Sequence, residues 1–155
     1  MYSPYVTASP FPGAVALLIL ESGQRRNAMT ISFFSEVAHH PTSLWISVAT
    51  DSYSHQLLQE SGRFSLAVLH ELQKNLALLC GSVSGRDRDK CADLPLYRSN
   101  DGFLYLTGAL ANASCRVRGS EQLDTHTLFI ADIMSGERDS KTALRRHLLL
   151  SDLSS

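Results

Sequence analysis

NAMTISFF, residues 27–34, is the stretch on which the reading of the fold turns. From Ala28 onward it has the look of a strand, with β-branched and aromatic residues at Thr30, Ile31, Phe33 and Phe34. Directly before it stands ESGQRRN, a polar turn carrying Gly23 and two arginines. A half-buried strand therefore opens on a small polar cluster, Asn27 and Thr30, around Met29. Two readings are open. Asn27 closes a hairpin turn, whose conformations it tolerates well, or the first residues of the strand hold a planar, hydrogen-bonding ligand.

Short strand-like runs continue in both directions. GAVALLIL (13–20), AMTISFFSEV (28–37), SLWISVA (43–49) and FSLAVL (64–69) precede a second set, FLYLTG (103–108), NASCRVRG (112–119) and TLFIADIM (127–134). In NASCRVRG the period of two puts Ala113, Cys115 and Val117 on one face. Turn signals separate the runs at Ser22-Gly23, His40-Pro41, Ser61-Gly62 and Asp101-Gly102. Strands punctuated this regularly predict a barrel or sandwich. Helices are predicted at SYSHQLLQES (52–61), with Gly62 as its C-cap, and at HELQKNLALLCG (70–81), where Leu72, Leu76 and Leu79 recur at helical spacing. DSKTALRRHLLL (139–150) is a third candidate, its basic residues suiting a helix C-terminal half. Gly81 to Gly102 is the longest irregular piece, and loops of that length are more often functional or mobile than idle.

With 155 residues the chain fits one domain spanning 1–155, enough to bury roughly two-thirds of its unfolded surface. A net charge of −1 argues against nucleic-acid or anionic-membrane binding. The longest apolar run is far short of a membrane span, and MYSPYVTASPFPG lacks the basic start and apolar stretch of a signal peptide. Cys80, Cys91 and Cys115 are odd in number and form no C-x-x-C pair, so neither a zinc site nor a disulfide framework is expected and a reducing cytoplasm is the simplest location. No dinucleotide-binding G-x-G-x-x-G and no P-loop is present, and GSVSG carries Val83 where a nucleophile elbow needs serine. His39-His40 reads as a turn before Pro41 rather than a metal site. Local chemistry alone stops at a β-rich domain.

The ordered series NAMTISFFSEVAHHP, ISVATDSYSHQLLQESGRFSLAVL, SGRDRDKC and LDTHTLFIADI resembles the flavin reductase-like, FMN-binding split-barrel family. The resemblance runs from about Gly13 to Ile133, with the motifs in the family's order. It implies a mainly β fold with a few helices, a split β-barrel homodimer, and FMN in a groove to which both subunits contribute.

The resemblance also distributes roles. Asn27, Ala28, Met29 and Thr30 would offer backbone and side-chain groups to the flavin ring, where donors near N1 and O2 tune its potential. Ala49, Thr50, Ser52 and Ser54 stand where a strand runs into a helix, a place suited to the FMN phosphate; ordinary N-capping by the serines is equally compatible. Many relatives carry Lys or Arg around positions 50 and 52, and this chain does not. Arg86 and Lys90 in SGRDRDKC are candidate suppliers of that charge, with Cys91 where the family usually has an aromatic; a solvated, charge-alternating loop is the competing reading. His126 is the candidate catalytic residue near the flavin or nicotinamide, or else a structural histidine.

The implied activity is hydride transfer from NAD(P)H to flavin N5, with electrons passed to free flavin (FMN, FAD or riboflavin), to a separate oxygenase or electron-transfer protein, or to oxygen. Two alternatives accompany it: a non-enzymatic FMN electron-transfer protein, and a ligand-binding split barrel without redox turnover.

Overall fold

The structure is a computed structural model that describes residues 11–154; the N-terminal stretch read above for a signal peptide lies largely outside the described residues. Among the described residues nine strands form, β1 Ala16–Ser22, β2 Arg25–Ile31, β3 Phe34–His39, β4 Thr42–Ala49, β5 Arg63–Val68, β6 Leu96–Arg98, β7 Leu104–Leu106, β8 Ala111–Gln122 and β9 His126–Arg138. Among the same residues two α-helices, α1 Tyr53–Ser61 and α2 Lys74–Ser82, join them with short 3-10 turns at Glu71–Gln73, Lys90–Asp93 and Leu150–Ser154.

Seven strands make one antiparallel sheet in the order β2-β1-β5-β8-β9-β4-β3. β2 and β3 are its opposite edges, yet only Ser32 and Phe33 connect them. A link that short brings the two edges together, since each residue spans at most about 3.6 Å. The sheet therefore curls on itself and stays unzipped along one seam, which is a split barrel. AMTISFFSEV, read above as one strand, is two strands broken at that corner.

β1 explains its own unbroken apolar run. Val15, Leu17 and Ile19 enter one core with Ala77 and Cys80 of α2, while Ala16, Leu18 and Leu20 enter a second core with Leu57 and Leu58 of α1. A strand buried on both faces has no place for polar alternation. Each fully buried leucine contributes about 1.5–3 kcal/mol. Ala113, Cys115 and Val117 of β8 do share a face and pack in the second core. On β4 the half-buried Trp45 lies between Ser35 of β3 and Ile130 of β9.

Helix α1 ends as expected at Gly62, whose φ of 66° and N–H to the Leu58 carbonyl at 2.8 Å form a left-handed cap. The second predicted helix is shorter than expected. Residues 71–73 are a 3-10 turn, Leu72 is 64% exposed, and Ala77 with Cys80 form the buried stripe. The third predicted helix does not form. Residues 139–148 run as turns into a strap whose backbone bonds to strands: the Val15 N–H donates to the Leu148 carbonyl at 2.9 Å and the Leu148 N–H to the Leu69 carbonyl at 3.0 Å. Leu148 is fully buried in the first core, so the segment gains more by completing the barrel than by coiling on itself. The irregular piece after α2 holds β6, which pairs with β7 and escaped the sequence pattern because it is three residues long. All three cysteines are free and buried, and among the described residues no helix is long and apolar enough to cross a membrane.

Candidate functional site

β2, the start of α1 and the loop after α2 enclose a cleft of about 340 Å³. Asn27, Met29, Thr30, Ser52, Ser54, Arg86 and Lys90 all line it, although they come from three separate parts of the sequence. Ala28, Ala49, Thr50 and His126 are not among its lining residues.

Asn27 is the centre of the arrangement. β2 alternation turns it away from the first core, and it is 97% buried, being only 3% exposed. Its Nδ2 donates to Ser54 Oγ at 2.8 Å, but its Oδ1 is buried with no hydrogen-bond partner among the described residues. An orphaned buried acceptor costs about 1–3 kcal/mol. It is the kind of vacancy that a ligand N–H fills. Met29 supplies apolar surface on the same strand. Thr30 has another duty: its hydroxyl donates to the Ala77 carbonyl at 2.5 Å and ties α2 to β2.

Ser52 is the N-cap of α1. Its Oγ accepts from the His55 N–H at 3.1 Å and donates to the Ala49 carbonyl at 2.8 Å. The capping role expected of a serine here is thus real, and the free amides and positive dipole end beside it remain suited to an anion. Ser54, fully buried, faces Asn27 from the first turn of the helix. Thr50 points elsewhere, its hydroxyl donating to the Thr125 carbonyl at 3.2 Å.

The basic loop folds back on this helix start. An Arg86 guanidinium nitrogen donates to the Asp51 carbonyl at 3.2 Å, and the guanidinium carbon lies 5.6 Å from the Tyr53 ring centre. Positive charge thereby reaches the end of α1 from outside the local sequence. Lys90 is buried, with Nζ donating to the Cys80 carbonyl at 2.9 Å, an α2 end carbonyl left over by the helix. Burial pushes the Lys90 ammonium below its ordinary value, the nearby Cys80 and Cys91 opposing that shift. Asp89 caps the 3-10 turn through the Cys91 N–H at 3.2 Å and pairs with Arg26 at 2.9 Å, so the loop base is fastened to the residue before Asn27.

His126 opens β9 opposite Ala49, with Nδ1 2.9 Å from Thr125 Oγ1 and its ring 6.0 Å from that of Phe33. The buried histidine of the region is another one. His55 places Nε2 2.8 Å from Thr127 Oγ1 and its ring 5.6 Å from Phe129, and burial lowers its pKa. Sequence reasoning also passed over Asp51, Tyr53 and Gly85 of the cleft wall. Gly85 carried a usable signal, since a glycine inside a polar loop marks either a turn or a close backbone approach. Here it is the close approach: a Cβ at Gly85 would overlap the Asn27 carboxamide oxygen and lie 2.8 Å from Tyr53 Cδ2.

Comparison with known proteins agrees with this architecture. The family description "Flavin reductase like domain" matches residues 8–152. The reductase component of the FADH(2)-dependent resorcinol hydroxylase of Rhizobium sp. (strain MTP-10005) is 29% identical over 139 residues, covering 88% of this chain and 76% of that protein. The NADH-dependent flavin reductase StyB of Pseudomonas fluorescens is 29% identical over 124 residues, covering 79% and 70%. Among solved structures, an FMN-binding protein from Thermus thermophilus with bound p-hydroxybenzaldehyde superposes with a TM-score of 0.84 at 24% identity, covering 91% of this chain and 82% of that one. The NADH:FAD oxidoreductase SgcE6 of Streptomyces globisporus C-1027 gives 0.84 at 23% identity, covering 95% and 86%. The two superpositions carry the fold.

Proposed function

The chain belongs to the flavin reductase-like domain family, and from that premise we propose that it is an NAD(P)H-dependent flavin reductase that holds FMN in the Asn27 cleft. The orphaned Asn27 Oδ1 is the observation that carries this reading, because the pyrimidine edge of an isoalloxazine ring presents the N–H that it lacks. Asn27 is itself oriented by Ser54, so the acceptor is fixed before the ligand arrives. Met29 packs against the ring. The amides at the start of α1, framed by Ser52 and Ser54, take the phosphate, and Arg86 adds the charge that positions 50 and 52 lack. Lys90 holds the end of α2 and the base of the loop, and its ammonium sets a positive field over the cleft.

Bound flavin would supply hydride acceptance from a nicotinamide and onward delivery of electrons. The residues of the chain bind, orient and shield. Thr30 contributes by keeping α2 against β2, and Ala28 by its backbone alone, its side chain lying in the first core. Ala49, Thr50 and His126 belong, on this reading, to a groove completed by a second copy of the chain. The exposed Phe33 beside His126 and the exposed Val37 and Met134 on β3 and β9 favour such a homodimer. There His126 would stand near the flavin or the incoming nicotinamide as a hydrogen-bond donor. The Rhizobium relative described as the reductase component of a hydroxylase makes an oxygenase a fitting acceptor, alongside free flavin.

The test is anaerobic titration of the FMN-reconstituted protein with NADH and NADPH, followed by flavin absorbance. Bleaching by either nucleotide supports the reductase. Bound flavin that neither nucleotide bleaches makes the chain an electron-transfer protein, and failure to take up any flavin makes it a barrel for another ligand.

A further inference from the structure

The loop Ser82–Arg88 supplies Ser82 to Arg86 to the wall of the Asn27 cleft and is fastened at several points. Lys90 Nζ cinches its base to the Cys80 carbonyl at 2.9 Å, Arg26 grips Asp89 at 2.9 Å, and Arg86 reaches the Asp51 carbonyl at 3.2 Å. Between these fastenings Gly85 comes down on Asn27 and Tyr53 so closely that a Cβ would not fit. The contact covers Asn27 Oδ1 without satisfying it, for that oxygen is buried and accepts no hydrogen bond from any described residue. A cover that excludes water from a polar atom yet gives it no hydrogen bond holds only a shallow minimum.

We infer that Ser82–Arg88 is a lid over the flavin cleft and that Gly85 is the residue that lets it close: ligand entry lifts Gly85 off Asn27 and replaces an empty contact with a hydrogen bond. The inference rests on the flavin reading of the cleft. Gly85 is not among the positive-φ glycines, so alanine there meets no backbone penalty and its effect reads the contact alone. The Arg86 latch is exposed and consists of one hydrogen bond and a contact with the Tyr53 ring, weak enough to release on each binding event.

The experiment uses the full chain and two variants, Gly85→Ala, which wedges the lid open, and Arg86→Gln, which frees its latch without adding bulk. Hydrogen exchange of a peptide covering residues 82–90, measured without ligand, should quicken roughly tenfold in both variants, a shift in opening equilibrium that an overlapping atom or a lost charge-assisted bond can produce. In stopped-flow mixing, FMN association with the parent should level off at high FMN, limited by lid opening, and rise linearly in Gly85→Ala. Unchanged exchange in both variants overturns the lid. So does a parent association rate that stays linear in FMN. If Gly85→Ala does not fold, Arg86→Gln carries the exchange measurement. If the parent takes up no FMN, the flavin reading fails by itself, while the exchange result still decides whether Gly85 and Arg86 hold the loop down.

Discussion

Asn27 and Ser54 meet side chain to side chain at 2.8 Å across 27 residues of sequence, and both are buried. The bond joins the start of β2 to the first turn of α1, two of the elements that line the cleft. Ser54→Ala leaves the Asn27 amide without an acceptor, so it should cost about 1–3 kcal/mol in denaturant unfolding. FMN affinity should fall roughly tenfold with it, because Asn27 is then free to rotate. A variant that unfolds at a lower denaturant midpoint but binds FMN like the parent would separate Asn27 from the flavin.

Arg86 and Lys90 should behave differently, although both lie in one basic loop. Arg86→Gln removes charge at the start of α1 and should weaken FMN about tenfold relative to riboflavin, which has no phosphate but enters past the same loop. Lys90→Gln also strips the Cys80 carbonyl of its donor and slackens the loop base, so both ligands should lose affinity. Parallel fluorescence titrations with the two flavins check the contrast, and equal losses in Arg86→Gln would remove that residue from the phosphate.

His55 should make stability fall in mild acid. Burial lowers its pKa below the ordinary value of about 6.5, so in the window beneath that value the unfolded chain takes up a proton that the folded chain refuses. The stability is complete above the unfolded value and drains away as pH falls through the window. His55→Gln keeps a hydrogen-bonding group toward Thr127 and removes the titration. Thermal melts from pH 7 to about pH 5 should therefore slope less for the variant than for the parent.

Leu148 seals the first core from the far end of the sequence. Leu148→Ala should cost about 2–5 kcal/mol by transfer and cavity terms together, read by chemical denaturation. Leu144→Ala, four residues earlier and fully exposed, should cost nothing measurable.

The contrast between those two leucines shows what the sequence could and could not disclose. Periodicity found most strands, because alternation in β8 and the unbroken run of β1 are direct imprints of one and two buried faces. The helix expected at residues 139–150 from its basic second half does not form, because hydrogen bonds to Val15 and Leu69 that only the closed barrel offers hold the segment as a strap. In the site, Asn27, Ser52 and Ser54 were legible from residue type at strand and helix starts. Gly85 was not, because its meaning is a contact with Asn27 fifty-eight positions earlier. Lys90 was found for its charge, while its burial and its Cys80 partner are products of packing alone.

Trp45 is the sole tryptophan of the chain, and it sits half-buried on β4 between the edge strand β3 and β9. Tryptophan emission from the protein therefore has a single origin with a known address. Loss of β3 from the sheet edge would expose the indole to water and shift its emission to the red, whereas a second copy docking over that face would shift it to the blue. Unfolding of the edge and pairing of two chains thus move one optical signal in opposite directions, with no label attached.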